Sequence, residues 1–307
     1  MDVIKVDSNL VSVPVIVSDR EGRYIPNLTA DRFKLFDNNA EQQISYFDAA
    51  EEPLNIALLL DTSKSTEGVL DDIKKAAKSF LKELRPQDRA IVISFDHDVH
   101  RLCNLTNDRK VLEKAIKEAK VGEIVGTKLN DAVMEVAQKD FQSITGRKAI
   151  ILLSDGKDFG SIVSGDDLLS EQSESDAMVY SIYYGSAFGS FKMDRRHFPR
   201  GLQERFPRMM SQPDSSTNEQ RRLPRRRMGA EFLRELSERT SGRFYESDIT
   251  DLKDTFGLIS DELRHQYRLG FYPGEIQKDG SVHQLRVKVD AINVSVRARQ
   301  LYRAKRE

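Results

Sequence analysis

The hydrophobic and polar positions along the chain follow two patterns, and both ends of the chain share one of them. The four valines between Val11 and Val17 alternate with polar or small residues, which is typical of a half-buried β-strand. The short strands FKLFD and QISYFD come next, and we expect the loop DNNAE between them to make a hairpin. Near the C-terminus the alternation returns in YRLGFYP, HQLRVKVD and NVSVRARQLY.

The middle of the chain has a different hydrophobic pattern, because continuous apolar runs replace the alternation of apolar and polar residues. The runs NIALLLD and RKAIILLSDG are short enough for buried strands, and VLDDIKKAAKSFLKELRP between them has apolar residues at helical spacing. Apolar strands that alternate with amphipathic helices predict an α/β fold with a doubly wound, mostly parallel sheet, covered on both faces. Neither terminal group of strands is large enough for a core of its own. We therefore expect both chain ends to form one small β-sandwich into which the α/β domain is inserted.

This interpretation divides the 307 residues into an N-terminal sandwich part (1–52), the α/β domain (53–265) and a C-terminal sandwich part (266–307). The composition, 39% hydrophobic and 32% charged, is that of a folded globular protein. The apolar runs are far shorter than the roughly 20 residues of a membrane span, so no span is predicted. The opening residues, MDVIKVDSN, lack the pattern of a signal peptide. The single cysteine, Cys103, is expected to be a small buried hydrophobe rather than a nucleophile.

The net charge of −1 conceals a basic segment within an acidic chain. Residues 186–228 contain eleven Lys or Arg and only four Asp or Glu, with four phenylalanines among them. Such a segment could be a mobile loop with solvated charge, could bind an acidic protein, or could bind nucleic acid or an anionic surface. The sequence leaves these alternatives open.

Polar clusters stand where two of the apolar strands end. The first apolar strand is followed by Asp61, Ser63 and Ser65, and the strand AIILL runs into Ser154, Asp155 and Gly156. The loop VGTKLND adds Thr127 just before an amphipathic helix. Each cluster alone is explained by a helix cap or a turn. All of them, however, are expected at the same edge of one parallel sheet, where such sheets bind ligands.

The chemistry of these side chains points to a hard divalent cation. Two carboxylates (Asp61 and Asp155) and three hydroxyls (Ser63, Ser65 and Thr127) are all oxygen ligands, which suit Mg²⁺ or Mn²⁺. No His or Cys joins them, which argues against zinc. If the neutral hydroxyls contact the ion directly and the carboxylates lie largely behind waters, the ion is left short of negative charge, so we expect it to accept a carboxylate from an Asp or Glu of a protein partner.

The spacing D-x-S-x-S, followed by a loop Thr and a strand-end Asp, resembles the metal-ion-dependent adhesion site of von Willebrand factor type A domains. The resemblance covers about residues 53–265 and implies that Asp61, Ser63, Ser65, Thr127 and Asp155 hold the metal in a Rossmann-like domain. The flanking segments VSVPVIVSDREGRYIPNLTADRFKLFDN and HQYRLGFYP…HQLRVKV resemble a bacterial, secreted group of such proteins, the acidobacterial-type von Willebrand A-related family. That resemblance implies an extracytoplasmic location.

Two features depart from the family pattern. Lys64 stands where many members have Gly, and it could weaken cation binding, attract the partner's carboxylate or simply be solvated. The basic insertion 186–228 is longer than the connection requires.

The resemblance thus implies a binding module without catalysis. The competing hypothesis is a scaffold that binds nucleic acid or an anionic surface through the insertion, with a structural metal site. A third alternative is a metal-assisted hydrolase. The sequence shows no evident general base for it, although Asp155 and Asp158 are candidates.

Overall fold

The computed structural model describes residues 10–49, 52–172, 175–184, 229–273 and 280–304. Among these residues the centre of the molecule is a six-stranded sheet in the order β10-β9-β8-β5-β6-β7. All neighbouring strands in it are parallel except β6 and β7, which are antiparallel. Its strands are β5 (Leu54–Asp61), β6 (Arg89–Phe95), β7 (Val99–Thr106), β8 (Arg147–Ser154), β9 (Met178–Tyr183) and β10 (Phe244–Glu246).

Helices cover both faces of this sheet. Along β5 the side chains of Ile56, Leu58 and Leu60 join the core on one face, and those of Ala57 and Leu59 join the core on the other. The first face is covered by α1 (Leu70–Glu83), α2 (Arg109–Glu118) and α6 (Leu252–Arg264). The second face is covered by α3 (Leu129–Glu135), α4 (Gly165–Gln172) and α5 (229–239). Burial on both faces explains why the central strands are apolar without alternation.

Strands from the two chain ends form two further sheets of four strands each. One has the order β13-β1-β11-β4 and the other β14-β12-β2-β3. The N-terminal strands are β1 (Val11–Asp19), β2 (Phe33–Asp37), β3 (Ala40–Gln42) and β4 (Tyr46–Asp48). The C-terminal strands are β11 (Tyr267–Phe271), β12 (Val282–Val289), β13 (Val294–Ala298) and β14 (Leu301–Arg303).

The two chain ends pair directly, which confirms the predicted sandwich around an inserted α/β domain. In one sheet β1 lies between β11 and β13, and in the other β2 pairs with β12. The two sheets share one apolar core, to which Val13, Leu35 and Leu269 contribute. The domain boundaries proposed from the sequence stay predictions. The insertion 186–228 lies outside the described residues.

One part of the N-terminal prediction is wrong in detail. The hairpin partner of β2 is the short strand β3, across a turn where Asn38 and Asn39 both have positive φ. The segment QISYFD is not that partner, because its second half, β4, belongs to the other sheet and pairs with β11. The chain thus changes sheet between Gln42 and Tyr46, and periodicity alone carries no information about such a crossing.

Candidate metal centre

Four of the five predicted metal ligands form one hydrogen-bonded cluster at the carboxyl ends of β5 and β8. The hydroxyl oxygens of Ser63 and Ser65 lie 3.0 Å apart. The Ser65 hydroxyl donates to Oδ2 of Asp155 at 3.2 Å, and the Ser63 backbone N–H donates to Oδ1 of Asp61 at 2.9 Å. Asp61, Ser63 and Asp155 are buried, and Ser65 is partly exposed. The cluster is therefore mostly buried at the sheet edge, and Ser65 is its most exposed member.

The turn after β5 explains why these side chains converge. The backbone N–H and the hydroxyl of Thr62 both donate to the carbonyl of Phe95 at the end of β6, which fixes the direction of the chain as it leaves the sheet. The Thr66 hydroxyl then donates to the carbonyl of Ser63 at 2.8 Å and closes a short turn. These contacts satisfy the backbone and leave the hydroxyl of Ser65 free to donate to Asp155 and that of Ser63 free to contact Ser65.

Thr127, the fifth predicted ligand, lies on a neighbouring loop. It is buried, and its backbone pairs in both directions with Phe159, four residues after Asp155. The same loop is tied to the first cluster, because the N–H of Gly122 donates to the carbonyl of Thr62. Among the described residues the Thr127 hydroxyl makes no hydrogen bond to the other four side chains. The structure thus places Thr127 beside the cluster and outside its hydrogen-bond chain.

Two residues outside the predicted ligand set contact the carboxylates. The hydroxyl of Ser154 donates to Oδ2 of Asp61 at 2.7 Å and accepts from the N–H of Gly156 at 3.0 Å. The ammonium of Lys157 contacts Oδ2 of Asp155, the oxygen that also accepts from Ser65. Ser154 could have been identified from the sequence, because it is the last residue of the buried strand β8. Lys157 carries no such signal, since a lysine two residues after an aspartate resembles an ordinary turn.

Two carboxylates dominate the electrostatics of the cluster, and the ammonium of Lys157 contacts one of them, Asp155. The carboxyl of Asp61 is fully buried, and this burial, together with the nearby charge of Asp155, raises its pKa to about 6. Hydrogen bonds from Ser63 and Ser154 offset part of that rise. Burial also raises the pKa of Tyr184, at the end of β9, and its hydroxyl has no hydrogen-bond partner among the described residues.

The donor set fits a hard divalent ion. Within the described residues no group of three or more His, Cys, Asp or Glu side chains is arranged to hold a metal. This edge of the sheet offers two carboxylates together with hydroxyl oxygens, and oxygen ligands of this kind suit a hard divalent cation. Two buried carboxylates facing one lysine also leave the negative charge that such an ion would neutralise.

Two other residues considered from the sequence direct their side chains to partners outside the cluster. Lys64 is half exposed, and its ammonium lies 3.6 Å from Glu67, so it faces solvent rather than the carboxylates. Asp158 accepts from the N–H of Asn130 at 3.0 Å and from the hydroxyl of Ser161 at 2.6 Å. Oδ1 of this carboxylate thus accepts two hydrogen bonds, one of them from the start of α3.

Comparison with known proteins supports the domain assignment. Residues 56–157 match the family model of the von Willebrand factor type A domain, and this span contains all five predicted ligands. The matched span does not reach the flanking strands, on which the resemblance to the secreted bacterial group depends. The comparison with curated proteins found no similar sequence.

Solved structures show more distant similarity. A hypothetical protein, BatB, from Bacteroides thetaiotaomicron is 16% identical, with 68% of this chain and 97% of that chain covered and a TM-score of 0.48. Proximal thread matrix protein 1 from the mussel byssus, with a zinc-occupied MIDAS motif, is 13% identical over 73% and 48%, with a TM-score of 0.49. The von Willebrand domain of the pilus tip protein Mfa5 from Porphyromonas gingivalis is 26% identical over 34% and 38%, with a TM-score of 0.31. These similarities are too distant to support an argument about function.

Proposed function

We propose that this chain, which contains a von Willebrand factor type A domain over residues 56–157, is a metal-ion-dependent binding module that recognises a carboxylate of a protein partner. The observation that carries the proposal is the convergence of Asp61, Ser63, Ser65 and Asp155 at one edge of the sheet. Helix capping explains each polar cluster singly. It does not explain why two buried carboxylates and two hydroxyls from separate strands are held in contact.

The roles of the side chains follow from their charge and burial. Ser63, Ser65 and Thr127 would hold the ion through neutral hydroxyls, while Asp61 and Asp155 would balance part of its charge from the buried side. Bound Mg²⁺ or Mn²⁺ would supply a positive centre with a coordination position open to a partner's Asp or Glu. The hydrogen bonds from Ser63 to Asp61 and from Ser65 to Asp155 hold the ligands in place before any partner arrives.

The surface around the cluster also favours a protein partner. Four large apolar side chains are mostly exposed on the two loops that meet at the Thr127–Phe159 bridge. They are Ile124, Val125, Phe159 and Ile162. Exposed apolar side chains gathered at one place, and rimmed by charged groups, are typical of interaction sites, whereas single ones are ordinary. A partner whose carboxylate reaches the cluster would cover these side chains.

The extracytoplasmic setting belongs to this proposal and depends on the resemblance of the flanking segments. None of the described helices is both long and apolar enough to cross a bilayer.

The competing hypothesis, binding of nucleic acid or an anionic surface through residues 186–228, concerns residues that the structure does not describe. The two are separable in solution. Binding through the basic insertion should survive EDTA and fall steeply with ionic strength, whereas binding through the metal should be lost in EDTA.

The carboxylate preference can be tested without knowing the partner. Electron–nuclear double resonance of the Mn²⁺-loaded protein with acetate carrying ¹³C in its carboxyl group should show a hyperfine coupling from that carbon. The reason is that the oxygen ligands of this chain leave a coordination position for an outside anion. Acetamide with the same label is the matched neutral control and should show no coupling. Bound Mn²⁺ without any coupling from acetate would contradict carboxylate recognition while leaving metal binding intact.

A further inference from the structure

Lys157 occupies an unusual place beside the candidate metal centre. It follows Asp155 by two residues, and its backbone N–H donates to Oδ1 of that carboxylate at 3.2 Å. Its ammonium contacts the other oxygen, Oδ2. The side chain of Lys157 is 50% exposed, whereas that of Asp155 is 4% exposed. The lysine therefore reaches in from the solvent and covers the carboxylate.

The contact has an electrostatic reason. Among the described residues, Lys157 is the one cation that forms an ion pair with a carboxylate of the cluster. It pairs with Asp155, whereas Asp61 has no ion-pair partner and Lys64 pairs with Glu67. Without Lys157, two carboxylates would face each other at a mostly buried edge of the sheet. Such an arrangement is unfavourable, because buried charges need compensation. The ammonium of Lys157 thus supplies the positive charge that a bound metal ion would otherwise supply at this edge of the sheet.

The oxygen that Lys157 contacts also belongs to the proposed ligand set. Oδ2 of Asp155 accepts from the hydroxyl of Ser65, so it faces the side of the cluster where the hydroxyls converge. An ammonium and a divalent cation placed against the same oxygen repel each other, so the two compete for this carboxylate. The long, half-exposed side chain can swing into solvent without disturbing the fold, as lysine stems commonly do.

We propose that Lys157 is a tethered competitor of the metal: it neutralises the metal-free site and lowers the site's affinity for divalent cations. This inference rests on the proposed function, since it assumes that the cluster binds a metal. Lys157 acts through Asp155 and is therefore a residue that tunes the affinity rather than a ligand. The chain would then bind a cation only when the cation is abundant enough to displace the ammonium.

The test is a Mn²⁺ titration followed by electron paramagnetic resonance on the full chain and on three variants. Lys157→Met keeps the length of the side chain and removes its charge, and it should bind Mn²⁺ roughly five- to tenfold more tightly than the wild type. Lys157→Arg keeps the charge and should bind as the wild type does. Lys64→Met is the matched control, because Lys64 is equally exposed near the same cluster but pairs with Glu67. It should change the affinity less than twofold.

Thermal unfolding in EDTA provides a second readout that does not depend on the metal. Lys157→Met should unfold at a lower temperature than the wild type and should gain more from added Mn²⁺, whereas Lys64→Met should do neither. If Lys157→Met binds Mn²⁺ no more tightly than Lys64→Met, the lysine is an ordinary solvated side chain and the inference is wrong, while the proposed function stands. If neither the wild type nor Lys157→Met binds Mn²⁺, the proposed function fails, and the inference fails with it.

Discussion

Replacing Glu262 with Ala is expected to lower the free energy of unfolding by about 3 kcal/mol, because it breaks a buried charge cluster between the α/β domain and the sandwich. Glu262 lies on α6 and is fully buried. Its carboxylate contacts the guanidinium of Arg297 on β13, lies 3.1 Å from Nε of Arg243, and accepts from the hydroxyl of Tyr24 at 3.0 Å. Three segments of the chain that are distant in sequence therefore meet at one carboxylate.

The loss would be large because the partners of Glu262 remain. Without the carboxylate, Arg243 and Arg297 would face each other at a partly buried position, and removing one member of such a group leaves charge uncompensated. Burial and the charge of Glu262 raise the pKa of Tyr245 to about 12. The arginines are partly exposed, so the expected loss is at the low end of the range for buried pairs.

Urea unfolding of the full chain measures this effect, with Glu235→Ala as the control. Glu235 pairs with Arg239 one helical turn away, and both side chains are substantially exposed, so its removal should change the free energy of unfolding by less than about 0.5 kcal/mol. Equal effects of the two substitutions would show that the Glu262 cluster does not stabilise the junction. A loss near 3 kcal/mol with an unchanged denaturant slope would support it.

Asp61→Asn is expected to stabilise the metal-free protein at pH 7.5 by about 2 kcal/mol, although Asp61 is a proposed ligand. In an unfolded chain an Asp titrates near pH 3.9, whereas in the folded protein burial and Asp155 raise the pKa of Asp61 to about 6. Between these values the folded state binds more protons than the unfolded state. The stability that Asp61 contributes is therefore present below about pH 4 and is lost as the pH rises through about 6.

Asparagine stays neutral at every pH, so the variant and the wild type should be equally stable near pH 4 and should diverge above pH 6. Chemical unfolding in EDTA at several pH values measures this. Asp72→Asn, at an exposed position on α1, is a control that should show no such divergence between pH 4 and pH 7.5. Added Mg²⁺ should reverse the order at pH 7.5, because only the wild type keeps both carboxylates. If Asp61→Asn were less stable than the wild type in EDTA at pH 7.5, the ionised carboxylate of Asp61 would not destabilise the metal-free protein, and the prediction would be wrong.

The sequence predicted the elements whose pattern has a single physical cause. Strands β5 and β8 are buried on both faces and are therefore continuous apolar runs. By contrast, β7 (VHRLCNLT) was missed, because it lies at the sheet edge and none of its residues is fully buried. The three-residue strand β10 was missed as well, since it is too short to show any period.

The candidate site divides in a similar way. The residue types of Asp61, Ser63 and Ser65 and their place after a strand were visible in one stretch of sequence, so their convergence on Asp155 could be predicted from the rule for parallel sheets. The contact between Lys157 and Asp155 could not be predicted, because it depends on how a flexible side chain settles in the field of two carboxylates. The raised pKa of Asp61 likewise depends on its burial, which no residue spacing reports.

The proposed function requires that Asp61, Ser63, Ser65, Thr127 and Asp155 bind a divalent metal. A Mn²⁺ titration by electron paramagnetic resonance on the wild type and on Asp155→Ala tests this, with Asp155→Asn as a milder variant and circular dichroism as the check on folding. One saturable Mn²⁺ site is expected in the wild type, and it should be lost in both folded variants. No saturable binding by the wild type, or equal binding by the wild type and the variants, would contradict the proposed function.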